Sequence, residues 1–262
     1  IAQLKGAMST QYRTSTTVAK AFAILDLLAS TPGEPLSLSQ VAAFLRVSKS
    51  TAHRYLTTLE DLDVVTRDES DNFSLGHKLI ELAGAFLSEN DLHKESVPFL
   101  ASLSAQTQET AHLAVPSANN VIYVAKVDSP HSLRLASHIG ARSPMHCTAL
   151  GKAILAQLPP DQLAESIQQG LPERTGNTLT SPETLLAELE RVRTQGYAID
   201  DQENEVGVRC IGAPIFDYTG QVIGAISISG PVSRVTVEKC AEFAPMVKQA
   251  AQAISRRMGY QS

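Results

Sequence analysis

Residues 46–56 read Arg-Val-Ser-Lys-Ser-Thr-Ala-His-Arg-Tyr-Leu, with three cationic side chains, one histidine, three small hydroxyls and no acid. Ala52, Tyr55, Leu56 and Leu59 recur at the i, i+3, i+4, i+7 spacing of one buried helical stripe. On such a helix Ser50, His53, Arg54 and Thr57 point away from the stripe. Ser48 suits the cap position, where free backbone N–H groups and the positive dipole end favour an anion. The chemistry this supports is contact with a DNA major groove, through Arg46, Ser48, Lys49, Ser50, Thr51, His53 and Arg54. Arg54 can read a guanine edge or a phosphate, and both readings stay open.

A second constellation lies near the end of the chain. In Ile226-Ser227-Ile228-Ser229 the isoleucines face one side of a strand and the serines the other. The serine pair is either a solvent-facing surface or one wall of a polar pocket. Cys147 and Cys210 are candidate nucleophiles with His146 and Asp200 as partners, although nothing around them marks a thiol of low pKa. His146, Cys147, Cys210 and His138 contain zinc-ligand types. Adjacent His-Cys on one strand would point to opposite faces, so packing in the core is the better reading, and no metal or other cofactor is expected. Gly151-Lys152 lacks the glycine-rich lead-in of a phosphate-binding loop.

The first constellation needs a compact frame. Thr17 precedes Val18, Phe22, Leu25 and Leu28, an amphipathic helix broken at Thr31-Pro32-Gly33-Glu34-Pro35. Ser37 caps a short helix with Leu38, Val41, Ala42 and Leu45 on one side, and Arg46-Val47 turns into the next. Val64–Arg67 and Asn72–Leu75 read as short strands around a turn at Asp68–Asp71. Helix, helix, tight turn, helix, hairpin is the plan of a winged helix-turn-helix, whose third helix enters the major groove and whose wing touches the backbone. Arg67 is then a candidate phosphate contact. The opposing reading is a small helical domain for protein contacts with Arg54 merely solvated.

Lys78–Asn90 carries Leu79, Ile80, Leu82, Ala83, Phe86 and Leu87 on more than one face. A connecting helix so apolar needs two partners, one of them a second subunit. Beyond Asp91 helices and strands alternate. Pro98–Gln108 reads as helix, His112–Val115 and Val121–Val127 as strands. A helix capped by Thr148 is expected to stop at Pro159-Pro160, and another runs from Pro182 to Gly196. Ile211–Phe216 and Gln221–Ser229 form a hairpin, and a last helix starts at Ser233 with a kink or break at Pro245. The fold class is a two-domain α+β chain whose second part is an α/β domain with a largely antiparallel sheet.

The whole chain agrees with a soluble protein. Its 262 residues, 43% hydrophobic, suffice for two cores. No apolar run approaches the ~18 residues of a membrane helix, and Ile1–Met8 lacks the layout of a signal peptide. Three widely spaced cysteines argue against a disulfide framework or a zinc finger and fit a reducing cytoplasm. The net charge of −5 does not advertise nucleic-acid binding. Over residues 9–75 six bases face eight acids, so the DNA reading rests on where the bases sit: they cluster at 46–54 and most acids follow Leu59.

The set of motifs resembles the IclR family of bacterial transcription regulators. The matching segments are Ser48–Leu56, Phe73–Gly76, Pro144–Ala153, Gly196–Glu203, Gly207–Cys210 and Ser227–Pro231, in family order over roughly residues 16 to 257. The resemblance implies a winged helix-turn-helix domain (10–76), a linker helix (77–90) and a GAF-like effector domain (91–258). It implies dimers, often paired into tetramers, and repression more often than activation. It also implies a small organic acid (an oxo-acid, hydroxy-acid, sugar acid or aromatic acid) over the N-terminus of the helix after Met-His. The positions concerned are Ala149 and Leu150 through backbone N–H, with Asp200, Cys210, Ser227 and Ser229. Asp200 would repel an anion, so a ligand hydroxyl or a water suits it better. Leu150 makes the pocket tighter or more apolar. Asp63 stands where the family usually has glycine, and aspartate tolerates the left-handed conformation that turn needs. Two other functions compete: an architectural DNA binder indifferent to small molecules, and the cysteine-dependent enzyme.

Overall fold

The structure is a computed structural model that describes residues 16–31, 33–89, 91–132 and 137–261, with side chains undescribed at 86–89. The expected domain start at residue 10, the segment Ile1–Met8, Pro32 in the first turn and the linker-helix end at Asn90 lie outside these residues. The described residues form two compact units, divided between Phe86 and Leu87.

The first unit contains α1 (Thr16–Ala29), β1 (Leu36–Ser37), α2 (Leu38–Leu45), α3 (Lys49–Asp61), β2 (Val65–Arg67), β3 (Asn72–Leu75) and most of α4 (Lys78–Glu89). The strands form an antiparallel sheet in the order β1-β3-β2. β1 is too short to read from sequence; its partner β3 defines it. Ile24, Leu28, Leu36, Val41, Leu56, Leu59, Val65 and Phe73 make the core. The stripe of α1 differs from the expected one: Ile24 and Leu28 are buried, whereas Val18 and Phe22 are exposed. On α4, Ile80 and Leu82 are 70% and 57% exposed within this chain.

The second unit contains α5 (Asp91–Thr107), β4 (Thr110–Ser117), β5 (Asn120–Val127), β6 (Arg142–Pro144), α6 (Ala149–Leu155), α7 (Pro160–Gln168), α8 (Pro182–Gln195), β7 (Ala198–Asp201), β8 (Val208–Phe216), β9 (Val222–Pro231) and α9 (Val237–Arg257). The six strands run antiparallel in the order β6-β5-β4-β9-β8-β7. One face packs on α5 and α9 through Leu100, Leu103, Ile226, Ile228, Phe243, Val247 and Ile254. The other packs on α6 and α8 through Met145, Leu150, Ile154, Leu155, Leu185 and Leu189.

The prolines behave differently from the sequence expectation. Helix α5 begins at Asp91, and Pro98 lies inside it. The C-terminal helix starts after a Thr236 cap, later than Ser233, and runs unbroken through Pro245. Buried side chains on both sides of each proline (Leu92 and Leu100; Phe243 and Val247) hold the halves together despite one missing backbone donor. Pro159-Pro160 ends no long helix: α6 stops at Leu155, and Pro160 occupies the first turn of α7, where its missing N–H costs nothing.

Candidate functional site

Two places in the molecule gather the singled-out residues. In the first unit, Ser37 and Gln40 form a capping box that starts α2. Arg46 ends that helix with φ 55°, the left-handed residue of the turn. Ser48 caps α3, its Oγ accepting from Thr51 N at 3.2 Å. The same Oγ lies 2.9 Å from both Ser50 Oγ and Thr51 Oγ1. Ala52, Leu56 and Leu59 are buried and Tyr55 half-buried, so Ser50, His53, Arg54 and Thr57 stand in solvent. Among the described residues no carboxylate pairs with Arg46, Lys49 or Arg54. Turn and helix thus carry seven of the eight expected DNA contacts in one continuous stretch. The eighth, Arg67, stands apart on β2, bound to Asp71 at 2.6 Å and lying 5.7 Å from the Phe73 ring centre. Asp63 adopts the left-handed conformation, φ 58°.

In the second unit, sheet register brings distant residues into rows. His112 on β4 faces Ser227 on β9, which faces Gly212 on β8. In the next row Ser229 faces Cys210, and Cys210 faces Asp200. A Cβ on Gly212 would come within 2.8 Å of the Ala149 carbonyl carbon and 3.0 Å of Leu150 N. Only glycine therefore lets the start of α6 rest on the sheet here. Gly151 serves the same end on the other side of α6, where a Cβ would collide with the Met145 backbone. Thr148 caps α6 by accepting from Gly151 N at 3.1 Å. The result is a cavity of about 240 Å³ lined by all six expected positions, Ala149, Leu150, Asp200, Cys210, Ser227 and Ser229. Tyr123, Ser143, Asn204 and Glu205 line it too, as does His112.

Burial controls the electrostatics. It pushes the Asp200 carboxyl up to about 7, the neighbouring Glu203 charge adding to the effect. Asp200 Oδ1 accepts from Glu203 N at 2.8 Å, which pulls the other way. Burial, helped by Lys126, lowers His112 to about 3, so its ring is neutral. Burial also raises the Cys147 thiol to about 12 and Cys210 well above its ordinary range. Neither thiol is therefore a ready nucleophile. His146 is not on a strand with Cys147, as the zinc argument assumed: both sit in the turn before α6. His146 Nε2 meets Pro172 O at 3.0 Å, and Cys147 Sγ meets Asn204 Oδ1 at 3.8 Å. The two side chains go separate ways.

Behind Asp200 lies a network that sequence reading missed. Lys152 is 1% exposed and bonds Glu203 at 2.5 Å and Glu188 at 3.2 Å. The signal was present: a single lysine in Ala-Leu-Gly-Lys-Ala-Ile-Leu, a helix otherwise apolar all round. His112 and Gly212 were missed because only the pairing of β4, β9 and β8 gives them their place.

Exposed hydroxyls and unpaired bases on a capped helix can meet DNA. A cavity that sets buried polar side chains in a largely apolar wall, with suppressed thiols, can bind a small molecule and is not built for covalent chemistry. Comparison with known proteins agrees. Residues 17–69 match the IclR helix-turn-helix domain and residues 84–256 the C-terminal domain of bacterial transcriptional regulator IclR. The chain is 38% identical over 245 residues to the HTH-type transcriptional regulator KdgR of Escherichia coli, covering 93% of this chain and 92% of that protein. It is 34% identical over 240 residues to the transcriptional repressor IclR of the same organism, covering 90% and 87%. The crystal structure of the Thermotoga maritima IclR superposes with a TM-score of 0.79 at 36% identity, over 93% of this chain and 99% of that one. These relatives are regulators of transcription and not enzymes, so the cysteine-dependent reading is set aside. No helix among the described residues is long and apolar enough to cross a membrane. The chain belongs to the IclR family of helix-turn-helix transcriptional regulators, and it binds DNA.

Proposed function

We propose that this regulator is a repressor whose hold on double-stranded operator DNA is set by a small carboxylate bound in the C-terminal cavity. The observation that carries the reading is the cavity itself. It is a concave, partly open pocket whose largely apolar wall is set with a few convergent polar groups (His112, Asp200, Ser227 and Ser229), and its size suits a small organic molecule. Helix geometry leaves the first-turn amides of Ala149 and Leu150 without intrahelical acceptors. These N–H groups and the Ser229 hydroxyl face the carboxylate, and Asp200 takes a hydroxyl or a water. Leu150 supplies an apolar wall. Oxo-acids, hydroxy-acids, sugar acids and aromatic acids are the classes that fit such a set.

On the DNA side, α3 enters the major groove with Ser50, His53 and Arg54 outward, while Arg46, Ser48, Lys49 and Thr51 hold the flanking backbone and Arg67 reaches from the wing. The protein works in the cytoplasm as a homodimer, and two such dimers pair into a tetramer. The exposed Ile80 and Leu82 of α4 support a second subunit there. Two recognition helices then read two half-sites of a partly palindromic operator. The acid shifts DNA affinity by no more than its own difference in affinity for the two states.

A thermal-shift screen of small carboxylates tests the reading, followed by anisotropy titration on DNA from beside the regulator's own gene. An acid at ~100 times its dissociation constant should stabilise the protein by about 2.7 kcal/mol and weaken its DNA binding. An acid that stabilises without changing DNA affinity overturns the regulatory role. DNA binding without sequence preference, unmoved by every acid, replaces it with an architectural one.

A further inference from the structure

His112 and Ser227 stand directly opposite each other on β4 and β9, and both line the cavity. Nε2 of His112 meets Ser137 Oγ at 2.8 Å. Its Nδ1 has no hydrogen-bond partner among the described residues, and neither has Ser227 Oγ. The two residues are 2% and 1% exposed, so bulk water satisfies neither atom. Buried polar atoms are nearly always bonded. Two orphans on facing residues, on the cavity side of the same sheet, mark the seat of one shared partner.

The chemistry of the pair says what that partner is. The ring is neutral, held so by burial and by Lys126. A neutral imidazole has one N–H and one lone pair, and a serine hydroxyl both donates and accepts. With the ring proton on Nε2, Nδ1 accepts from a ligand hydroxyl whose oxygen accepts from Ser227. With the proton on Nδ1, both groups donate to a keto oxygen. Neither arrangement supplies the positive charge that would offset a second carboxylate. Among the described residues that line the cavity there is no lysine or arginine, whereas Asp200 and Glu205 are present.

We propose that His112 is an effector-binding residue, and that its Nδ1 and Ser227 Oγ together hold an uncharged hydroxyl or keto oxygen of the effector. The inference rests on the carboxylate reading of the cavity, in which the acid group sits at the start of α6. It narrows the effector to a hydroxy- or oxo-monoacid, and it counts against plain acids and diacids.

Calorimetry on the full chain with matched acids tests this. Lactate and pyruvate are compared with propionate, gluconate with hexanoate, 4-hydroxybenzoate with benzoate, and succinate stands for the diacids. In at least one set the oxygenated acid should bind at least about tenfold tighter than its plain counterpart. His112→Gln keeps a polar group at the Nε2 position, toward Ser137, and none at Nδ1. It should cut that preference at least about fivefold. His112→Asn, with an amide near the Nδ1 position, should restore part of it. On the wild-type chain, the ¹⁵N resonance of His112 Nδ1 should move when the preferred acid is added, a readout that needs no variant to fold. Equal binding within every set, tightest binding of succinate, an unchanged preference in a cooperatively melting His112→Gln, or an unmoved Nδ1 resonance overturns the inference. Acids that bind without preference leave the carboxylate reading standing; if none of them binds, both fall together.

Discussion

The outer face of α3 and the cavity beside α6 both present small hydroxyl side chains among larger groups, yet the fold holds them in opposite ways. On α3 the hydroxyls of Ser48, Ser50 and Thr51 bond one another in solvent, and the folding work falls to Ala52, Leu56 and Leu59 on the far side. Apart from the Ser48 cap, the polar groups there stay in solvent, so Ser50, His53 and Arg54 can change at little cost to the fold. In the cavity, Asp200, His112 and Ser227 are buried, and Lys152 and Glu203 lie buried behind them. Each such group is costly unless paired. Binding and stability are therefore separable in the first region and tied together in the second.

The strongest test of that contrast is Lys152→Met. Removing the ammonium leaves Glu203 and Glu188 without their buried partner. The loss should be about 3–5 kcal/mol in urea denaturation of the C-terminal unit. A loss under ~1 kcal/mol would mean that the network is solvated, and the contrast with α3 would collapse.

Next in size is a pH effect with opposing signs. Asp200 titrates near 7 when folded, against an ordinary 3.8. The folded state binds that proton more tightly, so the stability it lends is full below ~4 and is lost as pH rises through 7. His112 runs the other way: at about 3 against an ordinary 6.5, it lends stability above 6.5 that is lost as pH falls toward 3. Between pH 4 and 6.5 the two slopes oppose each other. Asp200→Asn keeps an acceptor for Glu203 N and removes the charge. It should gain about 2–4 kcal/mol at pH 8 and remove the Asp200 share of the fall between pH 4 and 7, so that the rise His112 contributes toward pH 6.5 comes through. Glu203 is also raised by burial. A fall between pH 6 and 8 that survives in Asp200→Asn would assign the titration to Glu203.

These two regions were also unequally legible in the sequence. The face of α3 is local: its stripe, cap and turn lie within fourteen consecutive residues, and spacing alone places them. The serine pair on β9 was half legible, since alternation puts Ser227 and Ser229 on one side and leaves open what covers them. The family resemblance supplied the rest. His112, Gly212 and the Lys152–Glu203 pair depend on which strands become neighbours, a long-range choice that no local pattern encodes. The proline expectations failed for a related reason. Local preference starts a helix at Pro98 and breaks or kinks one at Pro245, and burial on both flanks overrides it.

Back on the surface, Arg54→Ala should weaken operator binding by about 1–3 kcal/mol if the guanidinium reads a base. Its melting curve should stay within ~0.5 kcal/mol of the wild type. Unchanged affinity at moderate salt removes Arg54 from the interface. A destabilised variant would show that the α3 face is coupled to the fold after all.

The smallest effect comes from the wing, where the excess of acids in the first domain has a local consequence. Asp71 binds Arg67 at 2.6 Å, so an arginine that reaches for a phosphate must first leave this carboxylate. Asp71→Asn removes the competitor. Asparagine tolerates the φ of 62° at this position. The turn keeps its other bonds, because Asp68 accepts from Ser70 N and Asn72 N, each at 2.9 Å. An exposed pair of this kind contributes less than ~1 kcal/mol, so the fold should not notice the change. DNA binding should tighten about two- to fivefold, and the dependence on log salt should steepen by about one unit as one more phosphate is engaged. Tighter binding without a steeper salt dependence would mean that a repelling charge was lost and Arg67 never touches DNA. An unchanged titration curve would take the wing out of the interface and leave recognition to the turn and α3.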